Sequence, residues 1–231
     1  MANDMLEARN LVKLAQESKI KFQVGYIERF NPAFLAAQTL ELNPRFIQVN
    51  RLAKFDAIKA EVNVILDLMI HDIDVILSLV KSEVKTISAN GVAVIAKTPV
   101  IANVRIEFNN GCVVSLTASR ISQHKVRRMQ LFQKDTCIEI DFLEKKTEVV
   151  TIDRQGKFAS SFDLEIPSVD KSLIVTQPEI PEVNAIKRQL EEFVYSITND
   201  TLPIVNEIDR YRAMEVAHQI LHKINHNLIV S

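Results

Sequence analysis

One histidine and three aspartates occur together in the segment DLMIHDID, inside an otherwise apolar run over residues 62–80. At about 100° per residue, a helix places Asp67, His71 and Asp74 on one face and points Asp72 elsewhere. An imidazole titrates near neutral pH, so His71 could act as a general acid or base that Asp67 orients. Because unpaired charge is costly to bury, the alternative is a satisfied structural network. For Asp74 the spacing leaves a substrate-side carboxylate and a structural partner equally open.

Arg29 and Asn31, in the stretch ERFNP, are candidates for contacts to a substrate. A guanidinium group can bind a phosphate or a carboxylate, although Arg29 could equally be a solvated arginine. The Asn-Pro pair is typical of a helix start, so the simpler role for Asn31 is a helix cap.

A basic group of side chains falls where two predicted strands turn: Arg120, His124, Arg127 and Arg128. Such a rim could meet the diphosphate of a nucleotide sugar, with Arg120 as the candidate substrate-binding residue. The alternative is a solvated hairpin end.

Metal chemistry has two weaker signals. His218, His222 and His226 recur at every fourth residue, a spacing that can bind a metal, but no HExxH motif accompanies them. Cationic side chains near a helix C-terminus are also favoured by the helix dipole. A second hypothesis is a metal-dependent hydrolase or isomerase that uses Asp67, His71 and Asp74 as ligands. We expect no metal.

The composition excludes several classes of protein. Its 28 basic and 29 acidic residues give a net charge of −1, which offers no basis for a nucleic-acid or membrane-surface partner. The N-terminus lacks a secretory signal, and aspartates interrupt the most apolar run. Cys112 and Cys137 have no CxxC partner and fit packing in a reducing cytoplasm. The four glycines cannot form a GxGxxG or GxxxxGK[ST] phosphate loop.

Hydrophobic periodicity predicts an α+β fold. Helices are predicted over residues 4–19, 32–42, 62–80, 183–198 and 207–227, an irregular connection over 168–181, and strands over 21–26, 45–54, 84–95, 100–108, 112–121, 125–133, 136–141 and 147–153. Because the later strands follow one another without helices, and Asn110-Gly111 is a hairpin signal, the sheet should be mainly antiparallel and open. We expect helices on one face and a partner sheet on the other, in a homodimer or homotetramer.

Four segments in this order resemble the glucose–fructose oxidoreductase/inositol dehydrogenase/MocA (Gfo/Idh/MocA) family: QVGYIERFNPAF, VILDLMIHDIDVILSLV, AIKRQLEEFVYSITND and EIDRYRAMEVAHQI. Members have a Rossmann domain for NAD or NADP, followed by an open-sheet domain for substrate binding and oligomerisation. The resemblance implies that His71 is the acid/base at the sugar hydroxyl and that Asp67 orients it. An aspartate matching Asp74 is common in the family's motif, and the loop that corresponds to Arg29 and Asn31 lies near the cofactor and the substrate.

The chain departs from this family before QVGY. Residues 1–27 resemble the last helix and strand of the Rossmann domain, and residues 28–231 resemble the substrate-binding and oligomerisation domain. The glycine fingerprint and the Glu-Lys-Pro motif are absent, so we expect no cofactor bound to this chain and no turnover by it alone. We also expect residues 1–27 to be disordered or docked on a neighbouring chain.

The stretches VKSEVKTISANGVAV and IANVRIEFNNGCVVSLTASRIS further resemble family members linked to nucleotide-sugar oxidation, with substrates of the UDP-N-acetylglucosamine type. A sugar or nucleotide sugar is therefore the expected substrate, with NAD or NADP as the cofactor of the complete protein. A non-catalytic, sheet-mediated oligomerisation module remains the alternative.

Overall fold

The computed structural model describes residues 5–56, 62–94, 98–153, 172–226 and 229–230. Its helices are α1 (Met5–Ser18), a short 3-10 helix (Ile27–Phe30), α2 (Pro32–Ala37), a π-helical turn (Ile65–Met69) that continues into α3 (Ile70–Leu79), α4 (Ala185–Thr198) and α5 (Glu207–His226). Its strands are β1 (Phe46–Lys54), β2 (Val84–Ala93), β3 (Ile101–Phe108), β4 (Val113–Ser122), β5 (Val126–Gln133), β6 (Thr136–Asp141), β7 (Lys146–Asp153), β8 (Ser172–Thr176) and β9 (Ile229–Val230).

These strands form one open sheet in the order β8-β7-β6-β5-β1-β4-β3-β2-β9. Neighbours are antiparallel except for β1 beside β4 and β2 beside β9. The predicted α+β fold with an open, mainly antiparallel sheet is therefore confirmed. The β3–β4 hairpin turns at Gly111, whose φ of 84° explains why glycine is used there.

Alternation along the strands builds the core. In β1, Ile47 and Val49 are buried and face the helices, and their register partners Val114 and Leu116 in β4 are buried beside them. Partners across a sheet point to the same face, so the strands bury a continuous apolar surface. Arg51 occupies the next inward position of β1, and it is also buried.

The helices cover this apolar face. α2 lies over β6 and β7, the π-helical turn lies over β4, and α5 lies over β2 and against α3. The approach of α5 is close, because a Cβ added at Gly91 would come within 2.7 Å of the side chain of Ile224. Within the part of the chain that the structure describes, no helix is long and apolar enough to cross a membrane.

The opposite face of the sheet is mixed in character. Gln48, Ser115 and Gln130 share it with the half-buried aromatic pair Phe46 and Phe132, whose ring centroids lie 5.7 Å apart. This face has the pattern that suggested a partner sheet.

Several local predictions were wrong. Residues 21–26 form no strand. Val24 N donates to Val205 O at 3.2 Å, the side chain of Gln23 donates to Gln189 O, and the side chain of Gln189 donates to Val24 O. A strand needs a neighbouring strand for its backbone groups, and none of the described strands pairs with residues 21–26. The region predicted to be irregular contains β8, although residues 168–171 lie outside the described residues. α2 ends at Ala37 because its last turn tightens to i→i−3 bonds.

The N-terminal helix also differs from expectation. α1 packs against α5 of the same chain rather than lying disordered or on a neighbour. Its contact face is made of the small residues Ala8 and Ala15, and the larger Leu6 and Leu14 remain mostly exposed. A helix that buries alanines and exposes leucines has left its most apolar surface uncovered.

Candidate active site

The π-helical turn sets the geometry around His71. Asn63 starts the helix by accepting a hydrogen bond from Ile65 N at 2.9 Å, and Ile70 N then bonds to Ile65 O, five residues back. A π turn winds more widely than an α-helix, so it changes the expected register between residues 67 and 71. Such turns occur frequently at functional sites.

His71 lies at the start of α3 and is largely enclosed. The ring of Tyr26 meets it edge-on, with ring centroids 6.0 Å apart. Nδ1 of His71 is buried and has no hydrogen-bond partner among the described residues. Burial, and secondly the positive charge of Arg51, lowers the pKa of His71 below its ordinary value. The lowered pKa favours the neutral imidazole, the form that can accept a proton.

Asp67 binds Arg120. Oδ2 of Asp67 accepts a hydrogen bond of 2.6 Å from Nη2 of Arg120, and one-third of the Asp67 side chain is exposed. Arg120 is 4% exposed, and its Nε has no partner among the described residues. The partner of Asp67 is thus an arginine from β4, whereas the sequence predicted that Asp67 would orient His71.

Asp72, which the helical spacing set aside, belongs to a buried charge cluster. Its two oxygens accept hydrogen bonds from Nε and Nη2 of Arg51 at 2.7 and 2.8 Å. Arg51 also donates from both terminal nitrogens to Oε1 of Glu28, at 3.2 and 3.1 Å. Glu28, Arg51 and Asp72 are at most 5% exposed. A bidentate guanidinium–carboxylate pair fixes orientation as well as distance.

Asp74 pairs with Arg29. Nε and Nη2 of Arg29 donate to the two Asp74 oxygens at 2.8 and 2.7 Å, and Asp209 lies 3.5 Å from the same guanidinium. Asp74 is 1% exposed, and burial raises its pKa to about 6 against the opposing effect of Arg29. With both oxygens engaged, the geometry favours the structural alternative for Asp74 and leaves Arg29 committed to two carboxylates.

Asn31 acts as the cap of α2. Its Oδ1 accepts from Ala33 N at 3.1 Å, while its Nδ2 donates to Glu28 Oε2 at 3.1 Å and to Phe142 O at 2.9 Å. The residue is buried, so both ends of its amide are used inside the fold. It links the start of α2 to the cluster around Arg51.

The proposed basic rim does not form as one group. Arg120 is buried, while Arg128 is half exposed and donates to Asp141 at 2.9 Å, and Arg127 lies 3.5 Å from Glu28. His124 is exposed. Each of the three arginines has a carboxylate partner, which Arg127 shares with Arg51, and this weakens the attraction of this end of the sheet for a diphosphate.

Metal ligation finds little support in the geometry. No group of three or more His, Cys, Asp or Glu side chains converges within the described residues, and Asp67 and Asp74 bind separate arginines. His218 has a buried Nε2 without a partner in this part of the chain. The side chain of His226 lies outside the described residues.

Sequence reasoning missed Tyr26, Glu28, Arg51 and Asp72 as neighbours of His71. One signal was available: an arginine at position 51 continues the inward alternation of Ile47 and Val49. A charged residue in a core-facing phase of a strand predicts buried partners of opposite charge. The identity of those partners required the fold.

Comparisons with known proteins agree with this architecture. Residues 48–139 match the family described as GFO/IDH/MocA C-terminal domain. UDP-N-acetylglucosamine 3-dehydrogenase of Acidithiobacillus ferrooxidans is 35% identical over 147 residues, which is 63% of this chain and 47% of that enzyme. The aligned region of this chain thus spans about half the length of that curated relative.

Solved structures extend the match in space. The structure of the same Acidithiobacillus enzyme superposes with a TM-score of 0.86 at 28% identity, over 97% of this chain and 69% of that one. An NAD-binding protein from Listeria innocua gives a TM-score of 0.76 over 97% of this chain and 70% of that one; at 16% identity it supports the fold alone. The match of residues 48–139 to the family model and the superposition on the Acidithiobacillus enzyme show that this chain is similar to the C-terminal domain of GFO/IDH/MocA oxidoreductases.

Proposed function

We propose that this chain is the substrate-binding and oligomerisation part of an NAD(P)-dependent oxidoreductase that acts on a CH–OH group of a nucleotide sugar. The observation that carries the proposal is the enclosed His71, four residues after Asp67 with its Arg120 partner, in a domain similar to UDP-N-acetylglucosamine 3-dehydrogenase. Residues 1–27 are proposed to be a remnant of a dinucleotide-binding domain, and residues 28–231 the substrate domain.

The proposed proton transfer uses His71. Oxidation of an alcohol carbon removes the hydroxyl proton together with a hydride. His71 Nδ1 is shut off from solvent, so we assign acceptance of the hydroxyl proton to Nε2 of the neutral ring. Asp67 keeps an oxygen that Arg120 does not engage and is exposed enough to accept a hydrogen bond from a sugar hydroxyl. Arg29 and Asn31 would act by holding the surrounding elements in place.

We propose that the described residues of this chain do not bind a dinucleotide. Among the described glycines, Gly25 precedes only a four-residue 3-10 helix, Gly91 lies in β2 against Ile224 and Gly111 lies in a hairpin, so none of the three stands in a turn that opens a long helix. A pyrophosphate cradle needs such a turn. We therefore propose that NAD or NADP binds to a part of the complete protein other than this chain.

Isothermal titration calorimetry of the purified chain tests the proposal. We expect UDP-N-acetylglucosamine to bind and NAD(H) to give no heat of binding. The variant His71→Asn should weaken or abolish the sugar-nucleotide signal, whereas His124→Asn, an exposed histidine, should leave it unchanged. Binding of NAD by this chain, or the same affinity in the His71→Asn variant, would contradict the proposal.

Assembly through the open sheet face is a second part of the proposal. The half-buried Phe46 and Phe132 give this face an apolar centre among polar side chains, a pattern typical of subunit interfaces. We propose a homodimer or homotetramer. Light scattering coupled to size-exclusion chromatography should show a multiple of the chain mass of 26.2 kDa. Phe132→Lys should shift it toward the monomer, and a monomeric parent chain would contradict the interface.

A further inference from the structure

Arg51 connects the sheet to the turn that carries His71. It is the third inward side chain of β1, and its four hydrogen bonds to Asp72 and Glu28 measure between 2.7 and 3.2 Å. Asp72 follows His71 directly in the first turn of α3. A displacement of Asp72 must therefore move the backbone of His71 with it.

Glu28 connects the same cluster to two further elements. Its Oε2 accepts from Asn31 Nδ2 at 3.1 Å, and Asn31 in turn donates to Phe142 O at 2.9 Å. Arg127 of β5 lies 3.5 Å from Oε1 of Glu28. The cluster thus joins β1, β5, the start of α2 and the first turn of α3 through charged groups rather than apolar contacts.

Stability alone is a poor reason for this cluster. Desolvation of buried ion pairs offsets most of their attraction, so well-packed apolar side chains of similar volume often give equal or greater stability. The cluster supplies an orientation that apolar packing would not, because each guanidinium–carboxylate contact has a fixed geometry. A role in holding a particular side chain accounts for that geometry.

We propose that Glu28, Arg51 and Asp72 are positioning residues that hold the imidazole of His71 in place and set the charge balance around it for the proposed proton transfer. The inference rests on the proposed function of His71. The charged groups that act on His71 are Arg51, Asp72, Glu28 and Asp67, and the ring of Tyr26 lies against it edge-on. Arg51 favours the neutral imidazole, whereas the three carboxylates favour the protonated form.

Histidine-detected NMR titration of the folded chain tests the proposal. The Hε1 and Cε1 resonances of His71 are assigned by their loss in His71→Asn, and the pKa of His71 is then measured in Glu28→Gln, Asp72→Asn, Arg51→Gln and Arg51→Lys. We expect the two carboxylate variants to lower the pKa and Arg51→Gln to raise it, each by about one unit. Arg51→Lys keeps the charge but not the bidentate geometry. The pKa of His71 in this variant should therefore stay close to that of the parent chain, while the positions of its resonances should differ from those of the parent.

A purely structural role predicts a different result. Every variant would then lower the free energy of unfolding, while the His71 pKa would stay unchanged or move in one common direction; either outcome overturns the proposal. Glu107→Gln, in an exposed ion pair with Arg105, is the matched control and should leave His71 unchanged. If Arg51→Gln fails to fold, the Glu28 and Asp72 variants with Arg51→Lys decide the question. The NMR titration needs no sugar nucleotide. A negative result in it can therefore be told apart from a failure of UDP-N-acetylglucosamine to bind in the calorimetric experiment.

Discussion

The first turn of α3 and the helix α4 distribute charge and apolar surface in opposite ways. Around α3, the three charged residues Glu28, Arg51 and Asp72, here called the Arg51 cluster, are at most 5% exposed. Along α4, aliphatic side chains at helical spacing are more than half exposed: Ile186, Leu190, Val194 and Ile197. An open surface region of about 760 Å³ lies along that helix, lined by Ile186, Leu190 and Val194 together with polar residues such as Lys187 and Glu191.

The difference shows what holds each region in place. The turn at His71 is fixed by directional contacts, in which every carboxylate of the Arg51 cluster has a donor. α4 is held by its less apolar side, where Ser196 is buried and Gln189 bonds to Val24 O at 3.0 Å. Removal of one charge should therefore be costly in the first region, and removal of apolar surface should cost little in the second.

The largest effect is expected for Arg51→Met. The substitution leaves Glu28 and Asp72 buried without their guanidinium partner, which should lower the free energy of unfolding by about 3–5 kcal/mol. Urea denaturation measures the loss. Arg105→Met removes an arginine from an exposed ion pair and should cost less than about 1 kcal/mol. Equal losses in the two variants would remove the contrast between buried and exposed charge.

A smaller effect is expected for Arg120→Met. Asp67 also loses its partner, but one-third of its side chain is exposed and water can solvate the freed carboxylate. The same denaturation assay should give a loss of about 1–2 kcal/mol. A loss as large as that of Arg51→Met would mean that Asp67 is less accessible than its exposure indicates.

The stability of the chain should depend on pH through His71. Burial lowers the pKa of His71 in the folded chain, whereas the unfolded chain keeps the ordinary value near 6.5. As pH falls below about 6.5, the unfolded state binds the proton before the folded state does. The free energy of unfolding therefore falls by at most about 1.4 kcal/mol per pH unit, until the pH has passed the pKa of His71 in the folded chain.

The control for this prediction separates the contribution of His71 to the pH dependence of stability from that of Asp74. Burial raises the pKa of Asp74 to about 6, so its contribution runs the other way and is lost as pH rises through that value. The difference in unfolding free energy between the parent chain and His71→Asn isolates the histidine. A difference that stays constant from pH 7.5 to 5 would contradict a lowered pKa.

The smallest effect is expected on α4. Leu190→Gln and Val194→Gln should change the free energy of unfolding by no more than about 0.5 kcal/mol, because both side chains are already in water. Ile73→Ala, in the buried stripe of α3, should cost about 2–5 kcal/mol in the same measurement. If Leu190→Gln lowered the free energy of unfolding nearly as much as Ile73→Ala, the exposed aliphatic side chains of α4 would have to be covered in solution.

Patterns with a short period predicted most of the fold. Strands β1 to β7 follow from two-residue alternation and from turn signals such as Asn110-Gly111, and Asn31-Pro32 marks the start of α2. These features depend on neighbours in sequence, so they can be read locally.

Long-range contacts limited the prediction of the site. The sequence placed Asp67, His71 and Asp74 on one helical face, but the arginines that bind the two aspartates come from β4 and from the 3-10 helix. The π-helical turn depends on packing as well as on local spacing, and no propensity predicts it. Charged partners separated by tens of residues become visible only once the sheet order is known.

The most direct test of the account follows the His71 imidazole while UDP-N-acetylglucosamine is added to the labelled chain. We predict that the Hε1 resonance of His71 shifts progressively and saturates, with a weaker response in Arg120→Gln, and that the resonances of His218 and His222 on α5 stay in place. An unchanged His71 resonance at concentrations that saturate the calorimetric signal, or the absence of any binding, would contradict the assignment of His71 to a nucleotide-sugar site.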